Sequence, residues 1–120
     1  MSSIEMRRFE RPDQVLDFGK HGRIAIVQLP DGTTGMHAVF EPGWTWDVHE
    51  KPLLGNPESC PMRHIGFCIS GELVVVIPAT GEEQRIKAGD FFDIPPGHTG
   101  FVPGDDRCEM ALFASPAPRG

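Results

Sequence analysis

Residues 63–98 read RHIGFCISGELVVVIPATGEEQRIKAGDFFDIPPGH. Runs rich in β-branched and aromatic residues alternate here with Ser70-Gly71, Thr80-Gly81, Ala88-Gly89-Asp90 and Pro95-Pro96-Gly97. Branched and aromatic side chains suit a pleated surface, whereas Gly, Pro and Asp supply the backbone angles of turns. The stretch therefore predicts strands at 63–69, 72–77, 83–87 and 91–94. Outward from it the pattern continues. Strands are expected at 23–29 and 34–40, joined as a hairpin by Pro30-Asp31-Gly32, with a short strand at 44–49 and a loop over 51–59. Two more follow at 100–102 and 108–114, separated by Pro103-Gly104-Asp105-Asp106. Residues 1–20 read as an arm or edge strand. No stretch shows a helical period, and short strands at close spacing predict an all-β sandwich or barrel.

At 120 residues the chain is the size of one domain, 1–120, and can bury a core without disulfides. Its 14 glycines and 12 prolines are dispersed, as turn residues are, rather than gathered in a low-complexity tract. The net charge of −6, with no Lys/Arg cluster, argues against nucleic acid and anionic membranes as partners and favours a small molecule or a metal ion. Cys60, Cys68 and Cys108 are too few and too irregular for a disulfide framework. Neither a signal peptide nor a membrane-spanning run is apparent, so the expected location is cytoplasmic, where a thiol stays reduced.

Side chains two apart in a strand share a face. A strand starting at Cys60 would point Cys60, Met62, His64, Gly66 and Cys68 one way. In a straight strand Cys60 and His64 are too far apart to bind one ion, about 13 Å. A bend at Pro61 would close the gap, which makes His64 the firmer candidate ligand and Cys60 a conditional one. The same alternation puts Thr45, Asp47 and His49 on one face, so His49 is expected to meet His64 across a strand pair, with Asp47 orienting an imidazole. His98, in a turn, is the fourth candidate. A histidine in a strand is ordinarily a packing or surface residue, and His21 and His37 are read that way. Cys68 and Cys108 read as small core residues. Trp44, Trp46, Phe67, Phe91, Phe92 and Phe101 read first as core aromatics.

These residues resemble the cupin family. Its first motif runs Gly, five residues, His, one residue, His, three or four residues, Glu, six residues, Gly. Gly43 and His49 fit its start and Gly71 its end. His64 stands at the glutamate position and Cys60 at that of the second histidine, after a longer spacer. The second motif runs Gly, five residues, Pro, one residue, Gly, two residues, His. Gly89, Pro95 and Gly97 fit, whereas the histidine position is Gly100 and His98 comes two residues early. The resemblance covers residues 43–101. It implies a cupin-type double-stranded β-helix, a jelly-roll barrel, with a divalent metal in its mouth and pairing into a homodimer.

The expected metal ligands are thus His49, Cys60, His64 and His98, with Trp44, Trp46 and Phe101 walling a small-molecule pocket. Imidazole suits Zn, Fe, Ni and Cu, and a thiolate shifts the choice toward Zn or Fe, with Ni, Mn and Cu as alternatives. Four protein ligands would make a closed structural site; three would leave a position for water or substrate. The functional expectation is a metal-dependent barrel acting on a small molecule, as an oxygenase or isomerase. Its alternative is a non-catalytic ligand-binding or sensing barrel. Fold alone does not choose between them.

Overall fold

The computed structural model describes residues 3–114. Nine strands carry the fold: β1 Gln14–Asp17, β2 Gly22–Gln28, β3 Thr34–Phe40, β4 His64–Ser70, β5 Glu72–Ile77, β6 Glu82–Lys87, β7 Phe91–Ile94, β8 Thr99–Phe101 and β9 Cys108–Ala114. They form a six-stranded sheet ordered β1-β2-β3-β9-β4-β7 and a three-stranded sheet ordered β6-β5-β8, with antiparallel pairing throughout. The chain crosses between sheets after β4, β6, β7 and β8, and β9 inserts between β3 and β4. This is the jelly-roll arrangement expected of a double-stranded β-helix.

Alternation along the strands builds the core. Met36, Ala38 and Phe40 of β3, and Cys108, Met110, Leu112 and Ala114 of β9, face Leu73 and Val75 of β5 and Ile86 of β6. Met110 is fully buried. Cys68 and Cys108 are buried beside each other, Sγ to Sγ 4.0 Å, as small core residues. Phe67 and Phe91 differ from expectation. They pair across β4 and β7 on the outer face of the large sheet and remain exposed. With Gly66 and Cys68 turned inward, parity sends Phe67 outward.

The larger departure lies at 44–49. Only Thr45 makes a strand-like bridge, to Phe101, and Trp46–Glu50 forms a π-helical turn. The Thr45 side chain accepts the Val48 N–H at 3.2 Å, and the His49 N–H donates to the Thr45 carbonyl at 3.0 Å. A 3-10 turn, Lys51–Leu54, follows and ends at Gly55, whose φ of 85° suits a left-handed cap. Strand alternation therefore does not apply to Asp47, His49 and Glu50.

Gly71, between β4 and β5, has φ 78°, and a Cβ there would lie 2.1 Å from the Arg107 carbonyl oxygen. Gly71→Ala is expected to cost about 2–4 kcal/mol through strain and backbone displacement. Gly104→Ala, where nothing lies within 4 Å of an added Cβ, should stay within about 0.5 kcal/mol. Urea denaturation of both variants checks this, and equal losses would contradict the close approach at Gly71.

Candidate metal centre

Cys60 lies outside the regular strands, in a two-residue bridge to the loop before β8. Its N–H donates to the His98 carbonyl, and the Gly97 N–H donates to the Cys60 carbonyl, both at 2.8 Å. Gly97, at φ 94°, allows that loop to turn. Strand β4 begins only at His64, so residues 61–63 bend the chain. Cys60 Sγ and His64 Nε2 then lie 3.7 Å apart rather than at opposite ends of a straight strand. The His98 Nδ1–H donates to the Pro95 carbonyl at 2.7 Å, which leaves Nε2 as the nitrogen with a free lone pair.

One donor atom from each of Cys60, His64 and His98 lies within 4.8 Å of the other two. For a tetrahedral ion with ordinary Zn–S and Zn–N bonds, the S···N edge is about 3.6 Å, close to the Cys60–His64 separation. No further His, Cys, Asp or Glu joins this group among the described residues. His98 is early relative to the family motif for a steric reason. Gly100 is buried in β8, and a Cβ there would lie 3.1 Å from the Val74 carbonyl oxygen, which leaves little space for an imidazole.

Burial acts differently on the two imidazoles and on the thiol. Burial, and then the neighbouring His98, push His64 down to about 4. Burial also lowers His98. Both rings are therefore neutral at physiological pH and can offer lone pairs. Burial holds the Cys60 thiol up at about 11, with Glu50 adding to the shift. A bound dication reverses that preference, because metal binding displaces the thiol proton. His64 Nδ1 is buried with no hydrogen-bond partner. The other ring nitrogen, Nε2, is the one that faces the Cys60 thiol, so a metal-binding role rests on that donor.

His49 does not join the three. Its Nδ1 accepts the Thr45 N–H at 3.0 Å, and its ring stacks on His21 with centroids 4.0 Å apart. The π-helical turn sends His49 to that side and Glu50 inward, the reverse of strand parity. Asp47 is exposed and orients neither imidazole of the group. A cavity of about 290 Å³ opens beside the donors. Trp44, Trp46, Cys60, His64 and His98 all line it, and Phe101 does not; Thr99 and Gly100 are the β8 residues that do. Trp44 packs against Phe40 and Phe18, and the indole N–H groups of Trp44 and Trp46 are buried without acceptors.

Glu50 was not foreseen. It is 8% exposed, lines the same cavity, and its carboxyl is pushed up to about 7 by burial. An acidic residue beside a motif histidine and before Lys51-Pro52 is a weak signal, since only the helical turn reveals that it points inward.

No family model matches the chain, and no curated protein matches it in sequence. Solved structures do match in shape. A cupin 2 conserved barrel protein from Salinispora arenicola is 21% identical with a TM-score of 0.63, covering 97% of this chain and 92% of its own. KdgF from a Halomonas species is 21% identical with a TM-score of 0.60, covering 96% of each chain. An RmlC-like cupin from Methanocaldococcus jannaschii is 15% identical with a TM-score of 0.60, covering 97% of this chain and 91% of its own. The fold is that of a small cupin-like barrel. Among the described residues, no helix is long and apolar enough to cross a membrane.

His64 and Glu50 oppose each other in their effect on acid stability. Unfolded, His64 protonates near 6.5; folded, only near 4. The unfolded chain thus binds more protons in that window, and stability is lost as pH falls from 6.5 to 4. Glu50 is raised from 4.5 to about 7, so its contribution is lost as pH rises through that range. In metal-free protein, His64→Gln should remove an acid-side loss of up to about 3 kcal/mol, and Glu50→Gln should steepen the net loss. Denaturation midpoints across pH 4.5–7.5 check both slopes. Parallel profiles for wild type and His64→Gln would contradict the buried neutral imidazole.

Proposed function

We propose that the protein is a metal-dependent cupin that holds one divalent ion on Cys60, His64 and His98 and admits a small organic molecule to the adjoining cavity. The observation that carries this reading is the convergence of one thiol and two neutral imidazoles on a single point in the cavity wall. Three protein donors leave a coordination position free, as in catalytic rather than structural sites. Zn and Fe suit one sulfur and two imidazoles best. A bound ion would supply Lewis acidity toward a ligand oxygen, or redox chemistry if it is iron.

The chain's own residues set the conditions for that chemistry. The Pro95 carbonyl orients His98 and keeps its proton on Nδ1. Trp44, Trp46 and Met110 exclude water from one side of the centre and favour an apolar ligand body. The oxygenase or isomerase expected from the family resemblance fits an open coordination position. A sensing barrel would use the same cavity without turnover.

Elemental analysis of protein purified without chelators is expected to find about one ion per chain. His64→Ala and His98→Ala should each weaken metal affinity by at least about tenfold, as loss of a ligand does. His49→Ala should retain the ion. Full occupancy in both His64→Ala and His98→Ala would refute this ligand set.

A further inference from the structure

We infer that Glu50 is an ammonium-binding group, and that the cavity takes a small apolar molecule bearing a protonated amine. This deepens the reading above by naming the ligand class of the same cavity. Glu50 is 8% exposed, lines the cavity, and makes no side-chain hydrogen bond with any described residue. Buried carboxyl groups are ordinarily paired or hydrogen-bonded, because an unpartnered one is costly to remove from water. No Lys or Arg lines the cavity to pair with it, and the two lining imidazoles are bonded elsewhere, His64 toward Cys60 and His98 to the Pro95 carbonyl. The partner must therefore enter from outside.

The metal ion does not fill this role in the observed arrangement, because Glu50 is not among the clustered donors. An organic cation does. Trp44, Trp46 and Phe40 line the same space, and their ring faces attract ammonium groups. The net charge of −6 favours entry of a cation and disfavours an anion. The size agrees: a cavity of about 150 Å³ holds benzene, so about 290 Å³ accommodates a ring with a short aminomethyl arm.

The probes are benzylamine, benzyl alcohol and benzoate, which share a ring and differ in the polar group. The chain has 2 tryptophans and no tyrosine, and both tryptophans line the cavity, so intrinsic fluorescence reports binding there. Titrations of the full chain at pH 8 should show benzylamine binding at least about tenfold more tightly than benzyl alcohol, with benzoate weakest. Glu50→Gln should abolish that preference, and wild-type protein should keep it after chelation. Metal content is measured on the same samples, so absence of an ion counts against the metal centre and leaves the ammonium site standing. No preference for benzylamine in wild type would overturn the inference, and this result holds even if Glu50→Gln fails to fold. So would a preference that survives Glu50→Gln, one lost on chelation (the amine then binds the ion), or loss of metal in Glu50→Gln, which would assign the carboxylate to the ion.

Discussion

The site depends on two backbone hydrogen bonds between residues far apart in sequence. The Cys60 N–H meets the His98 carbonyl and the Gly97 N–H meets the Cys60 carbonyl. They pin the end of a long loop against the turn that precedes β8, and thereby set the thiol beside an imidazole. His64 joins because β4 starts immediately after the bend at 61–63. Each donor comes from an element end rather than a strand interior, yet each is held by backbone bonding on at least one side. Position is thus supplied by main-chain geometry, and the side chains supply the chemistry.

The arrangement has a cost that the rest of the barrel must carry. Three polar groups and a carboxyl sit in a space lined mostly by apolar residues such as Trp44, Trp46, Met110, Leu73 and Ile94. One imidazole nitrogen and two indole N–H groups have no partner, and each such orphan costs about 1–3 kcal/mol when buried. A core packed as tightly as that around Ala38 and Cys108, both at 0% exposure, can tolerate such a concession. The uneven distribution itself marks the region: the densely packed part of the barrel carries stability, and the imperfectly satisfied part faces the cavity.

Much of the fold was legible because it rests on local signals. The turns at Gly71, Gly81 and Gly89 are all glycines with positive φ, and the runs that follow them became β5, β6 and β7. His64 was legible as the firmer candidate and Cys60 on the condition of a bend at Pro61, and the two side chains do lie 3.7 Å apart. His49 was misplaced because its reading assumed strand parity. A threonine cap and a π-helical turn rotate it onto His21, and neither leaves a periodic trace in five residues. The same rotation hid Glu50, since an acidic side chain beside a loop looks solvated until the turn is known. Phe67 and Phe91 were assigned to the core by type, whereas strand phase decides their side.

The cavity is assembled from two parts of the chain that do not overlap. Cys60, His64 and His98 lie in its second half, whereas Gln14, Gln28 and Thr34 belong to the first three strands. The opening strands thus contribute polar lining to the cavity but none of the three clustered donors. Substitutions at Gln14, Gln28 or Thr34 would change the shape and polarity of that wall while leaving the thiol and the two imidazoles where they are.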